Sequence, residues 1–347
     1  MKIHHLQARS ALGTAATALV VILTAACGRS EARSNIVNVY STRHYGAMEP
    51  MYAAFTEETG IRVRVSHGEM HALLERLKAE GERTVADAFF AVDAGGLWLA
   101  AEEGLLQSLT SPVIEQNIPE DLRDPHNRFF ALSQRVRSIA YVPGRVDPAE
   151  ISTYESLADS KWHGRLCLRP ATNVYTQSLI ASLIVAHGEA RTEEIVRGWV
   201  ANDPEYIDSD TRILQTVAAG GCDVGITNHY YLARLLRDDS DFPVRMLWAN
   251  QDGRGVHRNV SGIGVTAAAA NPGNAIKLIE WLSGHSGQAA DDNGLPGSNL
   301  EFPVNPEVAP HSIINDFGEW KADPMPLGEF GKYQADAVRL LQRAGHR

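Results

Sequence analysis

Hydrophobic and polar positions along this chain switch period every dozen residues or so. "IVNVY" (36–40) alternates as a half-buried strand does, then breaks into the polar segment "STRHYG". "AMEPMYAAFTEETG" spaces its apolar residues as a helix does and closes on Gly60, and "IRVRV" alternates again. "EMHALLERLKAEG" sets Leu73, Leu74 and Leu77 on one helical side before Gly81, and "ADAFFAV" reads as a third strand. Strands and helices in alternation predict an α/β layer with helices on the sheet faces.

A second pattern of this kind begins at "GRLCLRP". It continues through an apolar helix "VYTQSLIASLIVAHG", a helix "TEEIVRGWV", a helix near Thr211 to Ala219 and the strand "CDVGITN". Two β-rich stretches without helical period, "FFALSQRVRSIAYVP" and "RNVSGIGVTAAA", lie between and after the two units. Two α/β units joined by two extended crossings predict a hinged, two-lobed molecule with its ligand in the cleft, near the carboxyl ends of strands. Residues 35–135 with 259–309 are expected to form the first lobe, and 136–258 with 310–347 the second. "NGLPGSNLEFPVNP" (293–306) reads as a loop.

Residues 1–26 stand apart from this pattern. Lys2 and Arg9 precede "ALGTAATALVVILTAA", whose 16 residues are short for a membrane span and end in small residues before Cys27. This is the form of an export signal peptide. Its loss moves the formal charge from −10 to −12, because it removes Lys2 and Arg9 and no acid. So acidic a protein is poorly suited to nucleic acid or anionic membrane surfaces and well suited to a cationic ligand. Cys167 and Cys222 each open an apolar run, and export places them where disulfides persist. Either they pair across neighbouring strand starts or they are two separately buried thiols.

The chain lacks the motifs that most often mark enzymes: no phosphate-binding loop with its lysine, no GxSxG, no HExxH and no CxxC. Its 13 histidines show no zinc-ligand spacing. Tyrosines, by contrast, fall after strands, in "RHYG", "NVYTQ" and "NHYYLA". In this architecture those segments are polar loops at the cleft edge, so Tyr45, Tyr175, Tyr230 and Tyr231 are candidates to converge, Tyr45 from the first lobe and the others from the second. A phenol has pKa about 10, so several ionise together only beside a large positive charge, which a hard trivalent cation supplies. Arg135 and Arg137 in "SQRVRS" are candidates to offset the surplus negative charge. The plainer alternative is packing: Tyr175 against its own helix, Tyr45 exposed in a loop, one ring of the Tyr230–Tyr231 pair in the core. His44, beside Tyr45, is a ligand, a neighbour of a ligand, or a bystander.

With "VYSTRHYG", "FTEETGIRV", "ADAFFAVDAGGLW", "LADSKWHGRLCLRPATNVYTQSLIASL", "GCDVGITNHYY" and "NVSGIGV", the chain resembles the iron-binding proteins of bacterial ABC importers. These have the periplasmic-binding-protein type II fold, and the match is nearest the tyrosine-rich branch of cyanobacterial ferric uptake, over about Val37 to Pro306. The resemblance implies a non-enzymatic receptor that binds Fe3+ through Tyr45, Tyr175, Tyr230 and Tyr231; whether it also takes Fe2+ the sequence leaves open. The resemblance also implies that His44 and Arg135 lie near the metal and that the receptor delivers the ion to a permease and its ATPase. Tyr175 occupies the loop that holds an anion in some relatives, which favours an all-tyrosine set, and His229 stands where relatives often carry a small polar residue. "LTAAC" resembles a lipoprotein cleavage box, with Thr24 in place of the usual Leu, so the expected location is the periplasm or the outer face of the cytoplasmic membrane. There the mature chain is a monomer, anchored through a lipid on Cys27 or cleaved after Ala26. Two rivals remain at this stage. One is a receptor for a small organic cation or sugar phosphate; the other is a secreted hydrolase using Glu69 and Asp93.

Overall fold

The computed structural model describes residues 35–43, 50–292 and 299–347. The leader with Cys27, the adjacent His44 and Tyr45, and part of the expected 293–306 loop lie outside the described residues. Among the described residues ten strands follow in chain order: β1 Ile36–Ser41, β2 Arg62–His67, β3 Ala88–Ala91, β4 Phe130–Tyr141, β5 Leu166–Leu168, β6 Glu205–Tyr206, β7 Val224–Asn228, β8 Arg245–Leu247, β9 Arg258–Val265 and β10 Phe302–Pro303. Their principal order is β2-β1-β3-β9-β4-β7-β5-β6.

The strand that organises the molecule is β4. Phe130 to Val136 face β9, and from Arg137 to Tyr141 the same strand faces β7. Val136 and Arg137 are consecutive residues, so the passage from one sheet to the other occurs within a single peptide unit. On each side the sheet continues in parallel pairs, β1 with β2 and β3, β7 with β5, and β5 with β6. Parallel neighbours need crossover helices, which is why both units alternate strand and helix.

Two principal apolar cores flank the junction. The first contains Val37, Phe55, Leu74, Phe89, Leu97 and Ile263. The second contains Val136, Ile139, Trp162, Ile180, Trp199 and Leu340, with a smaller cluster of Cys167, Ile213, Val217 and Leu232 lying alongside. This is the two-lobed α/β architecture expected from the sequence. The chain nonetheless crosses more often than the two extended passages. Phe302, in the segment read as a loop, forms β10 opposite Gln134 and packs into the second core. Met325, Leu327 and Phe330 return to the first core. Helix Leu327–Lys332, which carries the latter two, lies so close to helix Ala94–Glu102 that a Cβ on Gly331 would stand 2.3 Å from the Trp98 ring. A period of two or 3.6 cannot reveal such docking, because the segment is too short to show one.

Cys167 and Cys222 are joined by a disulfide, their Cα atoms 5.8 Å apart. β5 carries Cys167 opposite Gly225 of β7, and Cys222 sits just ahead of that strand. The bridge closes a sequence separation of 55 residues, which removes loop entropy from the unfolded chain. Thiol titration of the denatured, non-reduced protein should find neither cysteine free. Cys222→Ser should lower the unfolding free energy by about 2–4 kcal/mol in urea titration.

Candidate metal centre

Two helix starts build the centre of the cleft. Asn173 caps helix Val174–His187, its side-chain oxygen accepting from the backbone N–H groups of Tyr175 (3.1 Å) and Thr176 (3.3 Å). Tyr175 is therefore the second residue of a helix rather than part of a loop. Tyr230 and Tyr231 likewise lie in the first turn of helix His229–Asp238, directly after β7. For these three tyrosines the strand-following position was read correctly, but they stand in the first turns of helices and not in polar loops. Helix N-termini carry partial positive charge, which favours anionic groups placed there.

The phenols meet. Tyr175 Oη and Tyr230 Oη are 3.4 Å apart, and the Tyr230 and Tyr231 rings lean on each other with centroids at 4.4 Å and a tilt of 34°. Tyr175 and Tyr230 are buried and Tyr231 is half-buried. Packing alone does not account for hydroxyls gathered in this way, since rings filling a core have no need to bring their oxygens together.

Guanidinium groups surround the cluster. Arg135 lies 5.0 Å over the Tyr175 ring, and Arg234 lies 5.1 Å from the Tyr230 ring and 5.3 Å from the Tyr231 ring. Burial works against the Arg135 charge, yet Tyr175, Asp93, Glu301 and Tyr230 together hold its pKa above the ordinary guanidinium value. Arg137, the other candidate, turns into the second lobe and pairs with buried Asp210 at 2.7 Å. It is linked to Tyr230 through Asn228, whose Oδ1 accepts from Arg137 (3.3 Å) while Nδ2 donates to Tyr230 Oη (3.3 Å). An arginine has only donors, so it fixes which way the Asn228 amide points. Nothing in the sequence reading singled out Asn228; its place as the last residue of β7, one step before the tyrosine helix, was the available signal.

His229 is fully buried and serves the hinge. Its Nδ1 accepts from Val136 N–H at 3.1 Å, and its ring stacks on Phe302 with centroids 4.6 Å apart. Burial pushes its pKa down to about 4. On the open side, Arg43, His67, Glu69, Asp93, Val174 and Gln177 line part of a cavity of about 540 Å³ between the lobes. None of the three described tyrosines lines that cavity; they sit deeper, beside the hinge strand. Glu69 is exposed, whereas Asp93 is buried and already accepts hydrogen bonds from several groups, so these two acids do not form a working hydrolytic pair.

Two α/β lobes sharing one strand, with a polar cluster at the floor of their cleft, define a solute-binding protein of the periplasmic-binding type II fold. The model of the bacterial extracellular solute-binding protein family matches residues 36–290, and the chain belongs to that family. It is 39% identical to Iron uptake protein A1 of Synechocystis sp. over 96% of each chain, and 24% identical to the major ferric iron-binding protein of Neisseria meningitidis over 89% of this chain and 92% of that one. Among solved structures it resembles FutA (IdiA) of Trichodesmium in complex with iron and citrate, at 40% identity and TM-score 0.83, covering 90% of this chain and 100% of that one. Apo FutA2 from Synechocystis is 36% identical with TM-score 0.82, again over 90% and 100%. A receptor, not an enzyme, is what these relatives and this cleft have in common.

The buried imidazoles make stability depend on pH. Folded His229 stays neutral down to about pH 4, whereas an unfolded imidazole protonates near pH 6.5. Between those values the unfolded state binds more protons, so stability is full above about pH 6.5 and falls as the solution is acidified. The His229 share is about 3 kcal/mol, and His257, also pushed well down by burial, acts in the same direction. Urea unfolding of the iron-free protein at pH 7 and pH 4.5 should show the loss, and His229→Asn should make it smaller.

Proposed function

We propose that this protein captures ferric iron between its lobes through the phenolates of Tyr45, Tyr175, Tyr230 and Tyr231 and presents the closed, loaded form to the permease of an ABC importer. The observation that carries the reading is the gathering of the Tyr175, Tyr230 and Tyr231 rings at two helix starts beside Arg135 and Arg234. Hard oxygen donors suit a hard trivalent ion, and four phenolates around Fe3+ leave one surplus negative charge. Arg135 is the group placed to offset it.

The function itself is periplasmic ferric-iron binding without catalysis, in line with relatives named for iron uptake and ferric binding. Several finer points belong to the same proposal. Tyr45 brings the first-lobe donor, and His44 ligates only when the ion is Fe2+, which a neutral imidazole suits. The lobes divide as 35–135 with 259–309 and 136–258 with 310–347, except that Phe302 packs with the second core and Met325, Leu327 and Phe330 with the first; the mature chain acts as a monomer, and export removes residues 1–26, with a lipid at Cys27 holding the receptor at the membrane. Metal bonds contributed by both lobes exist only in the closed form, which is the shape the permease selects.

Adding ferric citrate to the iron-free protein should produce a phenolate-to-iron charge-transfer band and raise the melting temperature. A colourless protein with unchanged stability would sink the reading. Tyr231→Phe should weaken iron binding by about 100-fold or more, the equivalent of roughly 3 kcal/mol. Tyr206, half-buried with its ring 4.8 Å from His346 in the second lobe, should tolerate Phe with little change.

A further inference from the structure

Asp93 is buried at the floor of the cleft and has a different partner on nearly every side. It caps helix Ala94–Glu102, Oδ1 accepting from Gly95 N–H at 2.8 Å. Oδ2 accepts from Ser178 Oγ at 2.7 Å, from Asn259 Nδ2 at 2.8 Å and from Arg135 Nη2 at 3.4 Å. All four side chains are almost completely buried, between 1% and 2% exposed. The capping bond and the neighbouring Ala94 and Leu97 place Asp93 in the first lobe, whereas Ser178 lies on helix Val174–His187, whose Leu179 and Ile180 belong to the second core. The Ser178–Asp93 bond therefore runs from lobe to lobe.

Ser178 follows Tyr175 by three residues on the same helix, so the two share a face. Arg135 joins Asp93 to the same place by another route, since it holds the carboxylate with one nitrogen and covers the Tyr175 ring. We infer that Asp93 is a positioning residue and latch, by which the first lobe grips the helix turn that carries Tyr175 and adds its own bond to the closed form. Parting the lobes breaks the Ser178 bond and leaves a hydroxyl and a carboxylate to be rehydrated, whereas the bonds from Gly95 and Asn259 stay within the first-lobe sheet and its helix. A bond made only in the closed state shifts the open–closed equilibrium, so it slows ligand escape without touching the ligand. The inference rests on the ferric reading for its ligand and on the geometry alone for the latch.

The test loads full-length protein with ferric citrate and follows iron transfer to excess EDTA. Ser178→Ala should speed dissociation by about tenfold or more, as expected for loss of a buried hydrogen bond to a charged group. The charge-transfer band should keep its wavelength, because no donor to the metal has changed. Asp93→Asn should act in the same direction, since an amide cannot accept on both sides. The double variant should be no faster than the faster single one, which general loosening of the fold would not produce. An unchanged rate in Ser178→Ala, or a shifted band, overturns the latch, and Ser178→Ala decides alone if Asp93→Asn does not fold. If the wild-type protein shows no band with iron, the ferric reading fails. The latch is then read from X-ray scattering of the ligand-free protein, where Ser178→Ala should increase the radius of gyration and an unchanged radius would refute it.

Discussion

The structure depends on what strand β4 has to do at one peptide bond. Arg135 pairs with β9 and Arg137 with β7, and both guanidiniums are buried. Burying a charge is costly unless it is matched, so each lobe must supply a counter-group exactly where the two sheets meet. The first lobe supplies Asp93 to Arg135, and the second supplies Asp210 to Arg137. The remaining polar groups, Asn228, Asn259, Ser178 and the phenols, are arranged around these two pairs.

That arrangement explains why an acidic receptor keeps positive charge at its centre. A cleft lined only by phenols would have to ionise them against one another. With Arg135 and Arg234 beside the rings and two helix N-termini behind them, part of the stabilising charge is present before any ion arrives. The incoming cation then completes the balance instead of creating it. The hinge strand reaches the same groups, since it contributes Arg135 and, through Val136 and His229, touches the tyrosine helix.

Much of this was legible in the sequence. The alternating strands 36–40, 61–65 and 86–92 and the helices between them appear nearly where their periodicity placed them, as do "VYTQSLIASLIVAHG" and "CDVGITN". Buried parallel strands flanked by amphipathic or apolar helices leave a strong repeating signal. Short elements leave none: β10 has two residues and helix Leu327–Lys332 has six, and both are held by what they pack against. Within the site, Tyr175, Tyr230 and Tyr231 were visible as unusual residues after strands, and Arg135 as one of two arginines on the extended stretch between the units. Asn228 and Ser178 were not, because their roles come from three-dimensional neighbours and both look like ordinary cap and helix residues. Arg137 looked equivalent to Arg135 until the change of partner strand after Val136 sent it to the other lobe.

In the proposed site, tyrosine oxygens of both lobes bind the metal directly. Resonance Raman spectroscopy of the iron-loaded protein, excited within its charge-transfer band, tests it most directly. Enhanced ring and C–O modes of coordinated tyrosinate are expected, and they should weaken when Tyr45, Tyr175, Tyr230 or Tyr231 is replaced by Phe. Iron bound tightly with no tyrosinate modes would contradict it.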